Sequence, residues 1–180
     1  MRKLGEIMDI EFVEGNQDLL DWISPLWAKL NSYHRRKSRH FAAYYDRMTF
    51  QQRKAILLAK AQNGLMRVDL VRLKDEDDYI GYIVTTISAA NEGEIESLFV
   101  IEPYRKQGIG HALMQRAINW LDRHRVKVRR LVVAVGNDKA LDFYEQFGFY
   151  PKYYSLEQAE QKFVLGGEGA IDSENVAEQF

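Results

Sequence analysis

Residues 94–113 join a strand to a helix through a short turn, and this junction restricts the fold more than any other part of the sequence. The first half alternates and is rich in β-branched and aromatic residues, which predicts a strand. Gly108 and Gly110 mark the turn. The second half predicts a helix with an apolar stripe at helical spacing, formed by Leu113, Met114, Ala117, Ile118 and Leu121.

The start of that helix is suited to binding an anion. The first N–H groups of a helix lack partners inside it, and the helix dipole places partial positive charge there. Gly108 and Gly110 remove Cβ atoms that would hold a ligand away from the backbone, while Arg105 and Lys106 add positive charge before the turn. We predict a phosphate or pyrophosphate ligand, and the alternative is an ordinary strand–turn–helix corner.

Two common phosphate motifs do not fit this turn. The dinucleotide pattern G-x-G-x-x-G/A fails at Leu113, and the pattern G-x-x-x-x-G-K-[ST] is absent. The pattern R-x-x-G-x-G does match, and it follows a strand that ends in Leu98-Phe99-Val100 and the pair Pro103-Tyr104. This combination resembles the acyl-CoA signature of the GNAT acetyltransferase superfamily. Its residues are Arg105, Lys106, Gln107, Gly108, Ile109 and Gly110.

A second pattern lies downstream. Asn137 precedes a predicted short helix, and residues 140–149 have the pattern A-x-x-x-Y-x-x-x-G-F with Tyr144 at its centre. This resembles the other GNAT signature, in the order and at the separation found in that family. The resemblance extends over about residues 7–163.

The periodicity of the chain predicts the elements around these motifs. Strands are predicted at residues 7–13, 65–73, 79–88 and 129–135, the last one buried on both faces, and one more strand between residues 149 and 163. A helix follows residue 18, with Pro25 in a first turn or at a kink, and another begins at Thr49, where Gln52 completes a capping box. Three consecutive strands at hairpin spacing predict an antiparallel meander.

The fold class predicted is therefore α/β, with a mixed sheet in which a βαβ unit follows the meander. The resemblance implies the GNAT acyltransferase fold, in which the parallel central strands splay apart. Residues 1–165 are predicted to form one domain, and residues 166–180 an acidic, mobile tail.

Composition narrows the functional class. The 180 residues carry a net charge of −1, which gives no reason to expect a nucleic-acid or membrane partner. There is no cysteine, and the four histidines are scattered, so no metal site is predicted. The amino terminus lacks the apolar run of a signal peptide. These features favour a cytoplasmic enzyme without a metal.

The resemblance implies acetyl-CoA as co-substrate and a set of residues that contact it. In the family the pantetheine arm pairs with strand backbone in the gap between the splayed strands, which corresponds here to the peptide groups of Leu98, Phe99 and Val100. The other residues implied are Arg105, Lys106, Gln107, Gly108, Ile109, Gly110, His111, Asn137 and Tyr144. Asn137 has the alternative role of a helix N-cap, and the side chain of His111 is interpreted as a surface histidine rather than a base.

Acetyl transfer to an amine needs a neutral amine and a proton for the departing thiolate. An amine with a pKa of about 10.4 is almost wholly charged near pH 7, so a base is useful. Tyr144 matches the proton donor position of the family, and the alternative is a core aromatic. Glu94 is the candidate base, Glu96 is its reserve, and simple alternation would place both on one face with Leu98 and Val100. Charges at a solvent-facing strand end are the alternative for both.

The acceptor is a small-molecule or peptide amine that no motif identifies. Residues 33–41 form the most basic run, which is typical of a solvated helix end. The functional alternative is an acceptor-site lip, because aromatic residues stand within and beside this run. The candidate substrate-binding residues are Tyr33, His34, Phe41, Tyr44 and Tyr45.

The main hypothesis is a GNAT-type N-acetyltransferase that transfers acetyl directly within a ternary complex, since no cysteine is present to carry the group. A non-catalytic acyl-CoA sensor on the same fold is the alternative, and a longer acyl donor is a third option. A homodimer is open, because dimers are common in the family.

Overall fold

A computed structural model describes residues 9–74 and 76–159. The first and last parts of the chain, with the tail predicted at 166–180 and the start of the first predicted strand, lie outside the described residues. The strands are β1 (Ile10–Gly15), β2 (Leu65–Leu73), β3 (Tyr79–Ile87), β4 (Glu92–Val100) and β5 (Val128–Leu131). The helices are α1 (Ser24–Lys37), α2 (Ala42–Arg47), α3 (Phe50–Ala61), α4 (Ile109–Arg123) and α5 (Asp138–Glu145), with 3-10 helices at Gln17–Ile23 and Glu102–Tyr104.

The five strands form one mixed sheet in chain order. Neighbouring strands from β1 to β4 are antiparallel, and β5 runs parallel to β4 after the α4 crossover. This confirms the predicted fold class and the meander followed by a βαβ unit. No helix among the described residues combines the length and apolar character needed to cross a bilayer.

Each face of the sheet is covered by its own apolar cluster. On one face, α4 buries the predicted stripe, with Leu113, Met114, Ala117 and Leu121 completely inaccessible. On the other face, α1 and α3 pack over the sheet through residues that include Trp27 and Leu57. The site must therefore lie where a strand leaves one of these covered faces.

Local signals set the helix starts on the second face. Pro25 occupies the first turn of α1, where its missing N–H costs no hydrogen bond, so the helix is not kinked by it. At α3, Thr49 and Gln52 form the predicted capping box, with the Thr49 N–H donating to Gln52 at 2.8 Å.

The strand β4 contains a bulge that the sequence did not reveal. Between Ile95 and Ser97 its pairing with β3 shifts, which leaves Glu96 as an extra residue on β4. A bulge of this kind bends the strand and redirects the side chains that follow.

The bulge changes which side chains share a face. Ile95, Leu98 and Val100 belong to the apolar cluster under α4, whereas the carboxylates of Glu94 and Glu96 contact α3 on the opposite face. The prediction that both glutamates share a face with Leu98 and Val100 is wrong, because it assumed uninterrupted alternation.

Two predictions at the end of the chain also need correction. The strand predicted at 129–135 is shorter and lies at the sheet edge, with Val132 and Val135 exposed by 83% and 89%. No strand forms in the described part of the segment predicted at 149–163, where Tyr153 and Tyr154 are largely exposed. Burial on both faces needs a neighbour beyond β5, and the described residues supply none.

Leu113→Ala should lower the free energy of unfolding by about 2–5 kcal/mol, because it leaves a cavity under α4. Leu156→Ala is the matched control, since the Leu156 side chain is 94% exposed and should change stability by less than about 0.5 kcal/mol. Urea unfolding of both variants measures the difference, and equal stabilities would contradict the packing described for α4.

Candidate active site

The turn before α4 presents a run of backbone N–H groups. Among the described residues no acceptor bonds the N–H groups of residues 106–111, and the first bond into the helix runs from Ala112 to the Gly108 carbonyl. Lys106 and Gly108 have positive φ values of 61° and 82°. Successive N–H groups in such a turn form an anion-binding concavity, and the α4 dipole adds to it.

The two glycines of this turn have different roles. Gly108 needs its left-handed backbone, although a Cβ there would meet nothing within 4 Å. Gly110 has ordinary helical geometry, and a Cβ there would stand 3.6 Å from the Phe143 ring, an ordinary contact. The protein itself therefore leaves room for a side chain at Gly110, so the glycine keeps open the space in front of the N–H groups.

The other side chains of the turn have separate functions. Ile109 is 2% exposed and anchors the helix start in the core. Lys106, Gln107 and His111 are exposed, and the His111 ring packs 4.8 Å from the ring of Phe147. Exposed cationic and polar groups around free N–H groups suit a phosphorylated ligand.

The strands β4 and β5 separate beyond the bulge, as predicted. Their parallel pairing ends at Ile95. The N–H of Ile101 bonds the Ile80 carbonyl on β3, and backbone groups alternate sides along a strand. The backbone groups of Leu98 and Val100 therefore face the β5 side, where the strand has an open edge.

Phe99 and Arg105 differ from the expectation for this edge. By the same alternation the Phe99 peptide faces β3, so Phe99 offers a ligand its ring and not its backbone. The Arg105 guanidinium lies 5.3 Å from the centre of that ring and 6.0 Å from the ring of Tyr33. Its Nε donates to the Val100 carbonyl at 2.8 Å. Arg105 thus already occupies one acceptor of the open edge.

Tyr144 lies on α5 and packs against the cluster under α4. Burial raises the pKa of Tyr144 to about 12. The raised pKa keeps the hydroxyl protonated throughout the neutral range, so Tyr144 acts as a hydrogen-bond and proton donor rather than as a base.

The two glutamates of β4 share one lysine. Lys60 of α3 donates to Glu94 at 2.9 Å and to Glu96 at 2.7 Å. Burial acts to lower the pKa of Lys60, but its hydrogen bonds to Glu96 and Glu94 outweigh this effect and raise it. Lys60 is therefore a fixed cation beside both carboxylates.

Glu96 is inaccessible, whereas Glu94 reaches solvent. The side chain of Glu96 is 1% exposed and also accepts hydrogen bonds from Arg53 at 3.2 Å and Thr86 at 2.8 Å. The Glu94 side chain is 24% exposed and lines a cavity of about 150 Å³ at the start of β4. Only Glu94 is in a position to meet an incoming molecule.

The candidate substrate residues of α1 and α2 form an aromatic group. The rings of Tyr33, His34, Tyr45 and Tyr44 follow one another at centroid separations of 6.0, 5.7 and 5.2 Å. Burial lowers the pKa of His34, and burial followed by the Tyr44 charge raises the pKa of Tyr45. Phe41 is partly buried immediately before α2. The basic run itself ends α1 and is mostly exposed.

Asn137 connects this aromatic group to α5. Its side chain does not cap the helix; its carboxamide oxygen instead accepts a hydrogen bond from the Tyr33 hydroxyl at 3.1 Å. Nearby, a Cβ at Gly136 would stand 2.8 Å from the Lys37 carbonyl, so the end of α1 rests directly on the loop before α5. Tyr33, Asn137 and Arg105 thus meet beside the open edge of β4.

A model of the acetyltransferase (GNAT) family matches residues 16–149 of the chain. The chain belongs to the GNAT acetyltransferase family. The two signatures identified in the sequence both lie inside the matched region.

Two curated relatives of this GNAT chain are archaeal. An uncharacterised N-acetyltransferase of Methanocaldococcus jannaschii is 33% identical over 69 residues, and an N-alpha-acetyltransferase of Sulfolobus acidocaldarius is 30% identical over 86 residues. These matches cover 38% and 41% of the chain. They span 30% and 51% of the relatives' own lengths.

Solved structures share the fold at low sequence identity. An aminoglycoside N-acetyltransferase in complex with CoA has a TM-score of 0.59 at 11% identity, covering 88% of this chain and 99% of the other. A ribosomal-protein-alanine N-acetyltransferase from Brucella melitensis has a TM-score of 0.57 at 12% identity, with 84% and 99% covered. A putative acetyl transferase from Pyrococcus furiosus has a TM-score of 0.60 at 18% identity, with 83% and 100% covered.

The sequence did not point to the cations and hydroxyls around the GNAT chain's bulge. Arg53 and Lys60 are seven residues apart on α3, which puts them on one face of the helix and was the available signal. Thr86 gave no signal, because a threonine inside an apolar strand is common.

Gly110→Ala should leave the fold intact or slightly stabilise it, since alanine favours the helix and meets only an ordinary contact. Affinity for CoA, measured by calorimetry, should fall about tenfold or more, because the new methyl group crowds the N–H groups. Gly108→Ala is the contrasting variant: it should also lower stability, by about 1–2 kcal/mol, because of its positive φ. Unchanged CoA affinity in Gly110→Ala would contradict a phosphate site at this turn.

Proposed function

We propose that this chain is an N-acetyltransferase that moves the acetyl group of acetyl-CoA directly to a primary amine within a ternary complex. The observation that supports the proposal best is the run of unbonded N–H groups at 106–111, next to the open edge of β4 and to Tyr144. The absence of cysteine from the sequence favours direct transfer over a thioester on the enzyme.

Acetyl-CoA binds along the gap between β4 and β5 in this proposal. The N–H groups before α4 hold the diphosphate. Backbone groups of Leu98 and Val100 pair with the pantetheine arm, and Asn137 contacts the same arm. A backbone donor at this edge also stabilises negative charge that develops on the acetyl oxygen.

Transfer then needs one proton removed and one supplied. Glu94 accepts a proton from the acceptor ammonium, the amine nitrogen bonds the acetyl carbon, and the carbon–sulfur bond breaks. Tyr144 donates to the departing sulfur. Lys60, in contact with Glu94 at 2.9 Å, keeps that carboxylate oriented toward the cavity.

The acceptor enters through the cavity that Glu94 lines. Its other lining residues are Lys60, Thr86, Ser88, Glu92, Gly93 and Arg130. A space of about 150 Å³ with charges of both signs suits a group the size of one amino acid that carries an amine. A peptide or protein N terminus fits this description, and one curated relative is named as an N-alpha-acetyltransferase. The aromatic group from Tyr33 to Tyr45 forms an outer wall nearer to Arg105 and Asn137.

The non-catalytic sensor is not favoured, because the acetyltransferase relatives retain this fold and Tyr144 has the properties of a donor. An acceptor screen tests the choice. Thiol release from acetyl-CoA should appear with short peptides that carry a free α-amine and disappear with the same peptides after N-acetylation. Free amino acids, polyamines and aminoglycosides complete the panel. Tight acetyl-CoA binding without amine-dependent thiol release would support the sensor instead.

Tyr144→Phe should lower kcat by a factor of about 10² or more, since it removes the proton donor and keeps the ring. The affinity for acetyl-CoA should change little, because the hydroxyl acts on the departing sulfur. Tyr150→Phe is the matched control, as Tyr150 is 70% exposed and outside the site. Equal turnover in wild type and Tyr144→Phe would remove Tyr144 from the chemistry.

A further inference from the structure

Three buried hydroxyl groups have no hydrogen-bond partner among the described residues: those of Tyr82, Thr85 and Ser97. Tyr82 and Thr85 are completely inaccessible. A buried polar group without a partner costs stability, and few remain in a native protein without a reason. Their positions relative to the bulge of β4 divide them into two kinds.

Tyr82 and Ser97 lie on one face of the sheet, and Thr85 lies on the other. Tyr82 pairs with Phe99, Ser97 is two residues before Phe99, and all three point toward α1 and α3. Thr85 stands between Ile83 and Ile87, which both pack under α4. Two of the unpartnered hydroxyls are therefore diagonal neighbours, while the third is isolated from them by the sheet.

The pair lies between the two groups assigned to chemistry. Ser97 directly follows Glu96, which shares Lys60 with Glu94. Burial raises the pKa of Tyr82, the nearby Ser97 hydroxyl and Arg53 lower it in part, and Tyr144 raises it. Tyr82 is thus close enough to feel the charge of Tyr144 on one side and of Arg53 on the other.

We propose that the hydroxyls of Tyr82 and Ser97 form a proton relay behind Tyr144, connecting it to the side of the site where Glu94 receives the acceptor's proton. The proposal rests on the proposed acetyl transfer. Tyr82 and Ser97 act through Tyr144, so they are positioning residues.

The relay solves a mismatch in acidity. A thiol ordinarily has a pKa of about 8.5, whereas the pKa of Tyr144 is about 12. Proton transfer from Tyr144 alone would leave a phenolate and would be disfavoured by a factor of roughly 10³. A second hydroxyl that returns a proton as the first leaves avoids the phenolate.

The step balances without any further reactant. The amine nitrogen bonds the acetyl carbon, the carbon–sulfur bond breaks, and the electron pair of that bond stays on sulfur. The proton lost by the amine to Glu94 enters at Ser97, and one proton moves from Ser97 to Tyr82, from Tyr82 to Tyr144, and from Tyr144 to sulfur. Each hydroxyl loses and gains one proton, so all three finish neutral.

Tyr82→Phe separates a relay from a packing role. Removing an unpartnered buried hydroxyl should leave the melting temperature unchanged or raised. With a relay, kcat should fall at least about tenfold, while KM for acetyl-CoA and the calorimetric affinity for CoA stay within about twofold. The dependence of kcat on the deuterium fraction of the solvent should be curved in wild type, as expected for several protons in flight, and linear in the variant. Ser97→Ala should reproduce these changes.

Thr85→Val is the matched control, because it removes the third unpartnered hydroxyl from the opposite face. It should match Tyr82→Phe in stability and match wild type in kcat. Wild-type kcat in Tyr82→Phe would overturn the relay and leave the proposed acetyl transfer standing. A lower kcat together with a lower melting temperature would assign Tyr82 to packing and also overturn the relay. Absence of turnover in wild type with every amine would overturn both proposals.

Discussion

The buried carboxylate of Glu96 fixes the geometry on which the rest of the site depends. It sits on the extra residue of β4 and accepts hydrogen bonds from Arg53, Lys60 and Thr86. Arg53 also bonds the Glu96 carbonyl at 3.0 Å, so one guanidinium holds both the backbone and the side chain of the bulge. Removing one partner of a buried ion pair typically costs about 3–5 kcal/mol, which makes the position of the bulge hard to shift.

The bulge lets one strand serve two purposes. Before it, β4 pairs with strands on both sides and carries Glu94 toward the cavity; after it, β4 keeps only β3 as a partner and offers Leu98 and Val100 to the open side. An uninterrupted strand would have kept pairing with β5 and closed the gap. The gap between the central strands is thus the result of one added residue held by charges from α3.

The parts of the fold that were predicted correctly depend on short-range signals. The strand at 65–73, the capping box at Thr49 and the apolar stripe of α4 are each encoded within a few turns or residues. The parts that failed depend on partners distant in sequence. Whether the segment after residue 128 is central or at an edge is decided by what lies beyond it. The register shift at Glu96 is decided by β3 and α3, and neither leaves a mark on the β4 sequence alone.

Arg105 shows how the ligand-free edge of β4 is kept satisfied. An open strand edge exposes acceptors that must bond water or protein, and the Arg105 Nε bonds the Val100 carbonyl at 2.8 Å while its guanidinium stacks on Phe99 and Tyr33. A ligand that pairs with the Val100 carbonyl has to displace this bond. The freed guanidinium belongs to the residue directly before the N–H groups at 106–111, where the proposed diphosphate binds, so the cation lost from the strand becomes available to the anion. Pairing at β4 and charge neutralisation at α4 are in this way two ends of one exchange.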